Sequence, residues 1–302
     1  MDRLEQYRIF MQVSESRSFT RAAAALNLPR ATVSTAVQQL EQVLGTRLLH
    51  RTTRQVSLSA DGVRLLERLR PLLEEAEALE QLFQPEQRSV AGHLRIDVPS
   101  RVARKLVAPA LPELLRRYPG LSLTLGSSDR SINLAEDGVD CVVRIGPVED
   151  SSLVARPLGA VAMVNCAHPA YLQHHGMPLE PNDLLQHWAI GYQSATGKTA
   201  SWDYLDAQGR SHSLTLPCRV TVNNAETYLA CCRAGLGLIQ VPRYDVAALL
   251  ACGELKEVLP DWLPAPMPVT VLYPHRRQRS RRLSLFIAWM QELLRPHLHA
   301  PG

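Results

Sequence analysis

Residues 21–45, RAAAALNLPRATVSTAVQQLEQVLG, decide how the amino-terminal part of this chain folds. The alanines at 22–25 lack bulk, so a helix that contains them allows a second helix to cross it closely. Asn27 tolerates a turn conformation and Pro29 suits the start of a helix, so one helix is expected to end and another to begin here. Ser18 is a candidate N-cap for the first of these two helices.

The second of these helices is expected to have one apolar face and one polar face. Val33, Val37, Leu40 and Leu44 recur at intervals of four, three and four, which puts them on one side of a helix. Opposite them lie Thr35, Gln38, Gln39 and Gln42, with Thr32 and Ser34 at the edges. Short hydroxyls and amides suit a helix that enters the major groove and hydrogen-bonds base edges and phosphates. An ordinary three-helix bundle is the alternative interpretation.

The segment that follows has the pattern of a basic wing. Residues 46–62, TRLLHRTTRQVSLSADG, indicate two short strands around a tip that contains Arg51 and Arg54. Residues 1–58 hold eight arginines and four acidic residues, a net charge of +4, which indicates a polyanionic partner for this block. A second basic cluster, HRRQRSRR at 275–282, is interpreted as a solvated loop, with a second nucleic-acid site as the alternative.

These motifs together resemble the winged helix-turn-helix of LysR-type transcriptional regulators over residues 4–62. The matching features are F-x-x-V-x-E-x-x-S-F, A-A-x-x-L, V-S-x-x-V-x-x-L-E, L-G-x-x-L-x-x-R and the strand into S-A-D-G. The resemblance implies a mainly α winged helix-turn-helix domain at 1–58, with double-stranded DNA as its partner. It places DNA contacts at Arg30, Thr32, Ser34, Thr35, Gln38, Arg51 and Arg54. Many members carry Arg or Lys where this chain has Thr35, so base specificity is expected to depend on Arg30, Gln38 or DNA shape.

A long linker helix is expected to follow the wing. Ser59 can cap a helix that runs to about Phe83, and Pro71 is expected to bend it. An apolar stripe with heptad spacing runs along this helix through Leu65, Leu69, Leu72, Ala76, Leu79 and Phe83. The spacing predicts coiled-coil pairing with a second copy over residues 59–86, and packing within the same chain is the alternative. The family resemblance also implies a homodimer formed through this helix, and a homotetramer.

From Gly92 onward, strand-like and helix-like segments alternate, which predicts an α/β domain with mostly parallel sheets. The resemblance, weaker here, implies an effector-binding domain at 90–302 similar to type 2 periplasmic binding proteins. Subdomain one is expected at 90–161 and 267–302, and subdomain two at 162–266. A small-molecule effector is then the second partner, and RNA polymerase is a third candidate.

Three strand-to-helix junctions predict where that effector binds. Ser100, Ser128 and Asn224 lie at such junctions, where free backbone N–H groups favour a small anion, above all a carboxylate. Each of them could instead be no more than a helix cap. The resemblance implies effector contacts at Ser100, Val102, Ser128, Arg144, Thr196 and Asn224. For Arg144, an intramolecular salt bridge is the alternative to a ligand carboxylate.

Other classes of protein fit the sequence less well. Residues 191–199, GYQSATGKT, place five residues between the two glycines where a phosphate-binding loop needs four, and other catalytic motifs are missing, so we expect no enzyme. A solute-binding protein would need an export signal, and MDRLEQYRIF lacks that layout. The six cysteines show no metal spacing and are expected to pack as small apolar residues, with a redox role for Cys231 and Cys232 as the alternative. The sequence therefore predicts a cytoplasmic regulator with no cofactor, no metal and no membrane segment.

Overall fold

A computed structural model of the chain describes residues 1–51, 56–81, 90–129, 134, 138–148, 153–193, 199, 201–274 and 280–298. The chain divides into two compact units, Met1–Pro85 and Glu86–Gly302. Within the described ranges, no helix is both long enough and apolar enough to cross a membrane.

The first unit is a winged helix-turn-helix followed by a long helix, as the sequence predicts. Its elements are α1 Arg3–Ser16, α2 Phe19–Leu26, α3 Arg30–Leu44, β1 Leu49–Arg51, β2 Val56–Leu58 and α4 Ala60–Gln81. The two strands are antiparallel, with Leu49 opposite Leu58. All these elements contribute to one core, whose buried members include Phe10, Val13, Ala22, Val33, Val37, Leu40, Leu48 and Leu69.

Local capping fixes the turn between α2 and α3. The Ser18 side chain accepts a hydrogen bond from the Arg21 N–H, and Asn27 ends α2 with a φ of 54° in the left-handed region. Ala22 and Ala23 are buried whereas the next two alanines are exposed, so only half of the alanine run lies at the helix crossing. Leu44 is 40 % exposed because α3 ends there, so it does not extend the buried face as predicted.

Some apolar residues of the linker helix α4 pack into the core, whereas another is exposed. Ser59 caps it by accepting from the Gly62 N–H at 2.9 Å, and the helix continues through Pro71. Leu65 and Leu69 pack into the core of the first unit, so this part of the predicted seam follows the intramolecular alternative. Leu72, by contrast, is 49 % exposed. The side chains of Leu79 and Phe83 lie outside the described residues.

The second unit contains two α/β subdomains. Its strands are β3 Gly92–Val98, β4 Leu121–Ser127, β5 Cys141–Ile145, β6 Leu153–Val161, β7 Met163–Ala167, β8 Ala189–Tyr192, β9 Trp202–Leu205, β10 Ser211–Leu214, β11 Cys218–Val222, β12 Ile239–Pro242, β13 Lys256–Glu257 and β14 Met267–Pro274. Its helices are α5 Ser100–Val102, a π-helical turn Ala103–Val107, α6 Ala108–Arg117, α7 Pro169–His175, a 3-10 turn Pro181–Gln186, α8 Ala225–Arg233, α9 Arg243–Ala251, α10 Arg281–Leu294 and a 3-10 turn Arg295–His297.

Subdomain one is a five-stranded sheet in the order β4-β3-β5-β14-β6. β3 is parallel to β4 and β5, but β14 is antiparallel to both β5 and β6, which corrects part of the prediction of mostly parallel sheets. The chain leaves this sheet at Val161 and returns at Met267 directly opposite, so the returning strand must run the other way. Helices α5, α6 and α10 pack on this sheet through a core that includes Val102, Val107, Leu114, Leu283, Phe286 and Met290.

Subdomain two lies entirely between those two crossing points. β7 pairs antiparallel with β12 and β13, and β8 pairs parallel with β11. A parallel bridge from Ala189 to Leu238 joins the two groups of strands, and β9 and β10 form a separate hairpin. One of its two cores lies beneath α8 and α9 and contains Ile190, Leu229, Cys232, Ile239 and Val246.

The basic cluster at 275–282 is only partly a loop. Residues 275–279 lie outside the described ranges, whereas Arg281 and Arg282 belong to α10. Arg282 is 9 % exposed and donates to the Ala91 carbonyl, so it stabilises the fold and is unavailable to nucleic acid. The six cysteines are free, and Cys232 lies in the core while Cys231 is half-buried.

Candidate nucleic-acid interface and effector cleft

Helix α3 presents the polar face that the sequence predicts. Val33, Ala36, Val37 and Leu40 are buried in the core of the first unit. Arg30, Thr35, Gln38 and Gln42 are exposed, and Thr32 and Ser34 are half-buried at the edges of that face. The apolar face anchors α3 to α1 and α2, which leaves Arg30, Thr35, Gln38 and Gln42 on the solvent side. A helix that enters a groove of duplex DNA needs such a polar side.

Contacts with α3 and with the start of α4 fix the base of the wing. The Glu41 carboxylate accepts from the backbone N–H groups of Leu48 and Leu49 at 2.9 and 3.1 Å. Ser59 donates its hydroxyl to the Arg47 carbonyl at 2.6 Å. A Cβ at Gly62 would lie 2.1 Å from the Leu48 carbonyl oxygen, so this position of the S-A-D-G motif requires glycine. These contacts set the direction in which the strands leave α3.

The two wing arginines remain predictions. The backbone of Arg51 ends β1 opposite Val56, but its side chain lies outside the described atoms. Arg54 falls within residues 52–55, which the structure does not describe.

In the second unit, Ser100 and the start of α8 bind the same carboxylate. Asp129, just after β4, accepts from the Ser100 N–H at 2.9 Å and from the Ser100 hydroxyl at 2.7 Å. Its second oxygen also accepts from the Ala225 N–H at 2.7 Å, at the first residue of α8. Ser100 and Asp129 belong to subdomain one and Ala225 belongs to subdomain two. Three donors from the two sides of the cleft therefore converge on one anionic group.

Arg144 and Ser128 bind a different aspartate. Arg144 donates to Asp97 at 3.0 Å and to the Val143 carbonyl at 2.9 Å, and the Ser128 hydroxyl donates to Asp97 at 3.2 Å. This arrangement is the intramolecular salt bridge that the sequence left as the alternative for Arg144. Burial raises the pKa of Asp97 above its ordinary value, although the hydrogen bond and charge of Arg144 act in the opposite direction.

Three of the other predicted effector contacts have different outcomes. The Asn224 side chain accepts from the Thr227 N–H at 2.8 Å and is thus a helix cap, while its neighbour Ala225 supplies the donor to Asp129. Val102 is 1 % exposed in the core of subdomain one, which corrects its expected place in the cleft: its side chain faces the sheet. Thr196 lies within residues 194–198, outside the described ranges. Gln193 and Thr199, which flank those residues, form an antiparallel bridge.

An ion cluster around the buried Arg101–Asp245 pair was not predicted. Arg101 donates through Nε to both oxygens of Asp245, at 2.7 and 2.9 Å, and through Nη1 to Glu226 at 2.7 Å. Arg104 also pairs with Glu226, at 2.8 Å, and Lys105 donates to the Asp245 carbonyl. The basic residues come from the helix that begins at Ser100, and the acidic residues come from α8 and α9. The cluster therefore joins the two subdomains.

Burial and pairing have opposite effects on this cluster. Burial works against the charge of Arg101, but Asp245 and Glu226 outweigh it, so the pKa of Arg101 is raised. Burial lowers the pKa of Lys105, and the attraction of Asp245 only partly offsets it. Sequence reasoning missed the cluster because it joins positions more than 120 residues apart, and α9 itself was not predicted.

Comparison with known proteins gives the same picture over the whole chain. Residues 4–68 match the family model described as bacterial regulatory helix-turn-helix protein, lysR family. Residues 87–295 match the LysR substrate binding domain. An uncharacterized HTH-type transcriptional regulator of Escherichia coli K12, YhjC, is 39 % identical over 298 residues, 99 % of this chain and 100 % of that protein.

Other relatives carry names of transcriptional regulators. An HTH-type transcriptional repressor of Pseudomonas aeruginosa (strain UCBPP-PA14) is 37 % identical over 97 % of this chain and 92 % of its own length. Among solved structures, CrgA, a LysR-type transcriptional regulator from Neisseria meningitidis, is 32 % identical with a TM-score of 0.60, covering 95 % of this chain and 97 % of that one. The chain therefore belongs to the LysR family of transcriptional regulators, with a helix-turn-helix domain for DNA and a regulatory domain for a small effector.

Proposed function

We propose that this regulator acts in the cytoplasm and recognises operator DNA through Arg30, Thr32, Ser34, Thr35 and Gln38 of α3 and through Arg51 and Arg54 of the wing. The exposed polar face of α3 and the surplus of arginine in residues 1–58 support this interface.

Arg30 offers a direct test of the interface. Arg30→Ala should weaken binding and reduce the slope of log affinity against log salt by about one if Arg30 contacts a phosphate. The probe is a duplex selected by the wild-type protein from random-sequence DNA. Arg156→Ala, at an exposed arginine of β6, is the matched control. Equal affinity and an equal slope for both variants would contradict the proposed surface.

We further propose that the effector is a small carboxylate that binds between the subdomains. The observation that carries this proposal is the carboxylate of Asp129, which is bound by the Ser100 N–H, the Ser100 hydroxyl and the Ala225 N–H. Donors that hold an internal carboxylate are also suited to a ligand carboxylate, once Asp129 turns away. The ligand therefore competes with a group of the protein itself.

This competition determines the experiment on the cleft. Asp129→Ala vacates the donors, so it should strengthen binding of short-chain or aromatic carboxylates, measured by calorimetry on the full chain. Ser100→Ala alone would weaken the binding of Asp129 and the binding of the ligand carboxylate together. It is therefore tested in the Asp129→Ala background, where only the ligand is affected. There we expect a loss of affinity of about 10- to 150-fold, because a hydrogen bond to a charged group contributes about 1.5–3 kcal/mol. The neutral amides of the same acids are the control ligands, and equal binding of acid and amide would contradict the assignment.

The exposed part of α4 supports a homodimer. Leu72 is 49 % exposed on a helix whose heptad stripe continues beyond the residues used by the core. We propose that α4 pairs with its counterpart in a second copy and that two dimers form a tetramer. RNA polymerase is a further proposed partner. Two-fold pairing implies two half-sites on the DNA, separated by about one helical turn or a multiple of it.

A further inference from the structure

A chain of hydrogen bonds links α1 to the exposed face of α3. Arg3 donates through Nη1 to the side-chain oxygen Oε1 of Gln6 at 3.2 Å. Gln6 donates through its side-chain NH₂ to the side-chain oxygen Oε1 of Gln39 at 3.1 Å. Gln6 is 7 % exposed, whereas Gln39 is exposed on α3, one turn after Thr35. A nearly buried amide therefore connects an arginine of α1 with a glutamine of the DNA-facing helix.

Arg3 determines which way the amide groups of Gln6 and Gln39 are oriented. A guanidinium has five N–H donors and no acceptor, so only the oxygen of the Gln6 amide can face Arg3. The NH₂ of Gln6 must then point at Gln39, which in turn must offer its own oxygen. The NH₂ group of Gln39 remains, and it makes no hydrogen bond to the described part of the chain. Reversing the Gln39 amide would bring two NH₂ groups face to face.

We infer that Gln39 contacts DNA as a hydrogen-bond donor and that Arg3 and Gln6 are the residues that hold it in that orientation. Its target is an acceptor of the duplex, either a phosphate oxygen or an acceptor on a base edge. Bidentate recognition of adenine needs both the oxygen and the NH₂ of a glutamine amide, and the oxygen of Gln39 is already engaged. Gln39 therefore differs from its neighbour Gln38, because the engaged oxygen restricts Gln39 to donating hydrogen bonds to DNA. This inference rests on the proposed DNA-facing surface of α3.

The direct test replaces the donor without changing its shape. Gln39→Glu retains an oxygen for Gln6 and turns the outward NH₂ into a second oxygen. We expect about a tenfold loss of affinity for a duplex selected by the wild-type protein from random-sequence DNA, because a donor is lost and a negative charge is added. Gln42→Glu adds the same charge to the same exposed side of α3 without touching the chain of hydrogen bonds, and it is the matched control. An equal loss in the two variants would overturn the inference.

The role of Gln6 is tested separately, because it lies away from the polar face of α3. Gln6→Leu should lower DNA affinity about two- to fivefold in the wild-type background and have no effect in a Gln39→Ala background. Thermal unfolding of each variant confirms that the domain is folded. A merely structural role of Gln6 would lower affinity equally in both backgrounds, and this result would also refute the inference.

Two further measurements locate the acceptor and separate this inference from the proposed function. If the acceptor lies on a base, Gln39→Ala changes the preference at one base pair of the duplex. If it is a phosphate, the loss is uniform across sequences and disappears when one phosphate is replaced by a methylphosphonate. Both outcomes support donation by Gln39. A different result is that Arg30→Ala weakens DNA binding while Gln39→Glu and Gln42→Glu lose the same affinity. That result would support the proposed DNA-binding surface and contradict only the role inferred for Gln39.

Discussion

The Arg101–Asp245 pair allows a quantitative prediction of stability. The Asp245 side chain is only 4 % exposed, and Arg101→Met would leave it with Lys105, whose Nζ lies 3.6 Å from Oδ1. Removing one partner of a buried ion pair costs about 3–5 kcal/mol when the other charge stays buried. Lys105 offsets only part of this cost for Asp245, because burial also disfavours the charge of Lys105. For a domain of roughly 200 residues, each kcal/mol corresponds to about 2–4 °C, so the melting temperature should fall by about 6–20 °C.

Scanning calorimetry of the full chain provides the assay, because the regulatory unit should lose stability while the winged unit keeps its own transition. Arg104→Met is the control: Arg104 also pairs with Glu226, but its side chain is 63 % exposed. An exposed ion pair contributes about 0–1 kcal/mol, so this variant should change little.

A second substitution should restore the stability lost in Arg101→Met. Adding Asp245→Leu to Arg101→Met removes the uncompensated charge and should restore most of the lost stability, since apolar replacements of buried ion pairs are often neutral. Glu226 is 38 % exposed on its side chain and can be solvated without Arg101. If Arg101→Met lowers the melting temperature no more than Arg104→Met does, the buried charge is not the source of stability and the reasoning is wrong.

Three further predictions concern other parts of the molecule. Leu40→Ala, at a position with 0 % exposure, should destabilise the winged unit by about 2–5 kcal/mol, and unfolding in denaturant would measure it; a cost below that of an exposed leucine would contradict the core assignment. Leu72→Asp should dissociate dimers, and light scattering that gave an unchanged mass would argue against pairing through α4. Burial, with a smaller contribution from His175, lowers the pKa of His187 below 6.5. The unfolded chain therefore binds more protons just below pH 6.5, so stability should decline as pH falls from 6.5 toward the folded pKa. His187→Gln should reduce the dependence of the melting temperature on pH in this window. An unchanged slope would show that other groups cause the pH dependence.

Short-range signals made the first unit predictable. Ser18, Asn27 and Pro29 mark the helix boundaries through their own backbone preferences, and the structure places α2 and α3 at those boundaries. The polar face of α3 followed from helical periodicity alone. What periodicity could not provide was the burial of Leu65 and Leu69 within the chain, because a heptad stripe looks the same whether its partner is another copy or the neighbouring helices.

The second unit was less predictable because its main features depend on distant residues. β6 was missed since LVARPLGAV contains Pro157 and Gly159; proline is tolerated there because β6 lies at the edge of the sheet. Helical structure runs without a break from Ser100 to Arg117, but no local signal in the sequence marks the π-helical turn at Ala103–Val107 within it. Asp129 carried no local signal of its role, because its donors come from Ser100 and from a helix that begins 96 positions later.

The double crossing between the subdomains has a consequence for how the chain is made. Subdomain two is continuous along the chain between Val161 and Met267, so a ribosome has delivered all of it before β14 emerges. Subdomain one must wait for β14, which lies between β5 and β6, and for α10, which supplies Phe286 and Met290 to its core. The inserted half can therefore reach its native form while the half that encloses it is still incomplete, with apolar strand faces awaiting their last partners. Nascent chains that expose residues only up to Met267 outside the ribosome should depend on chaperones more than chains that expose residues up to Leu294.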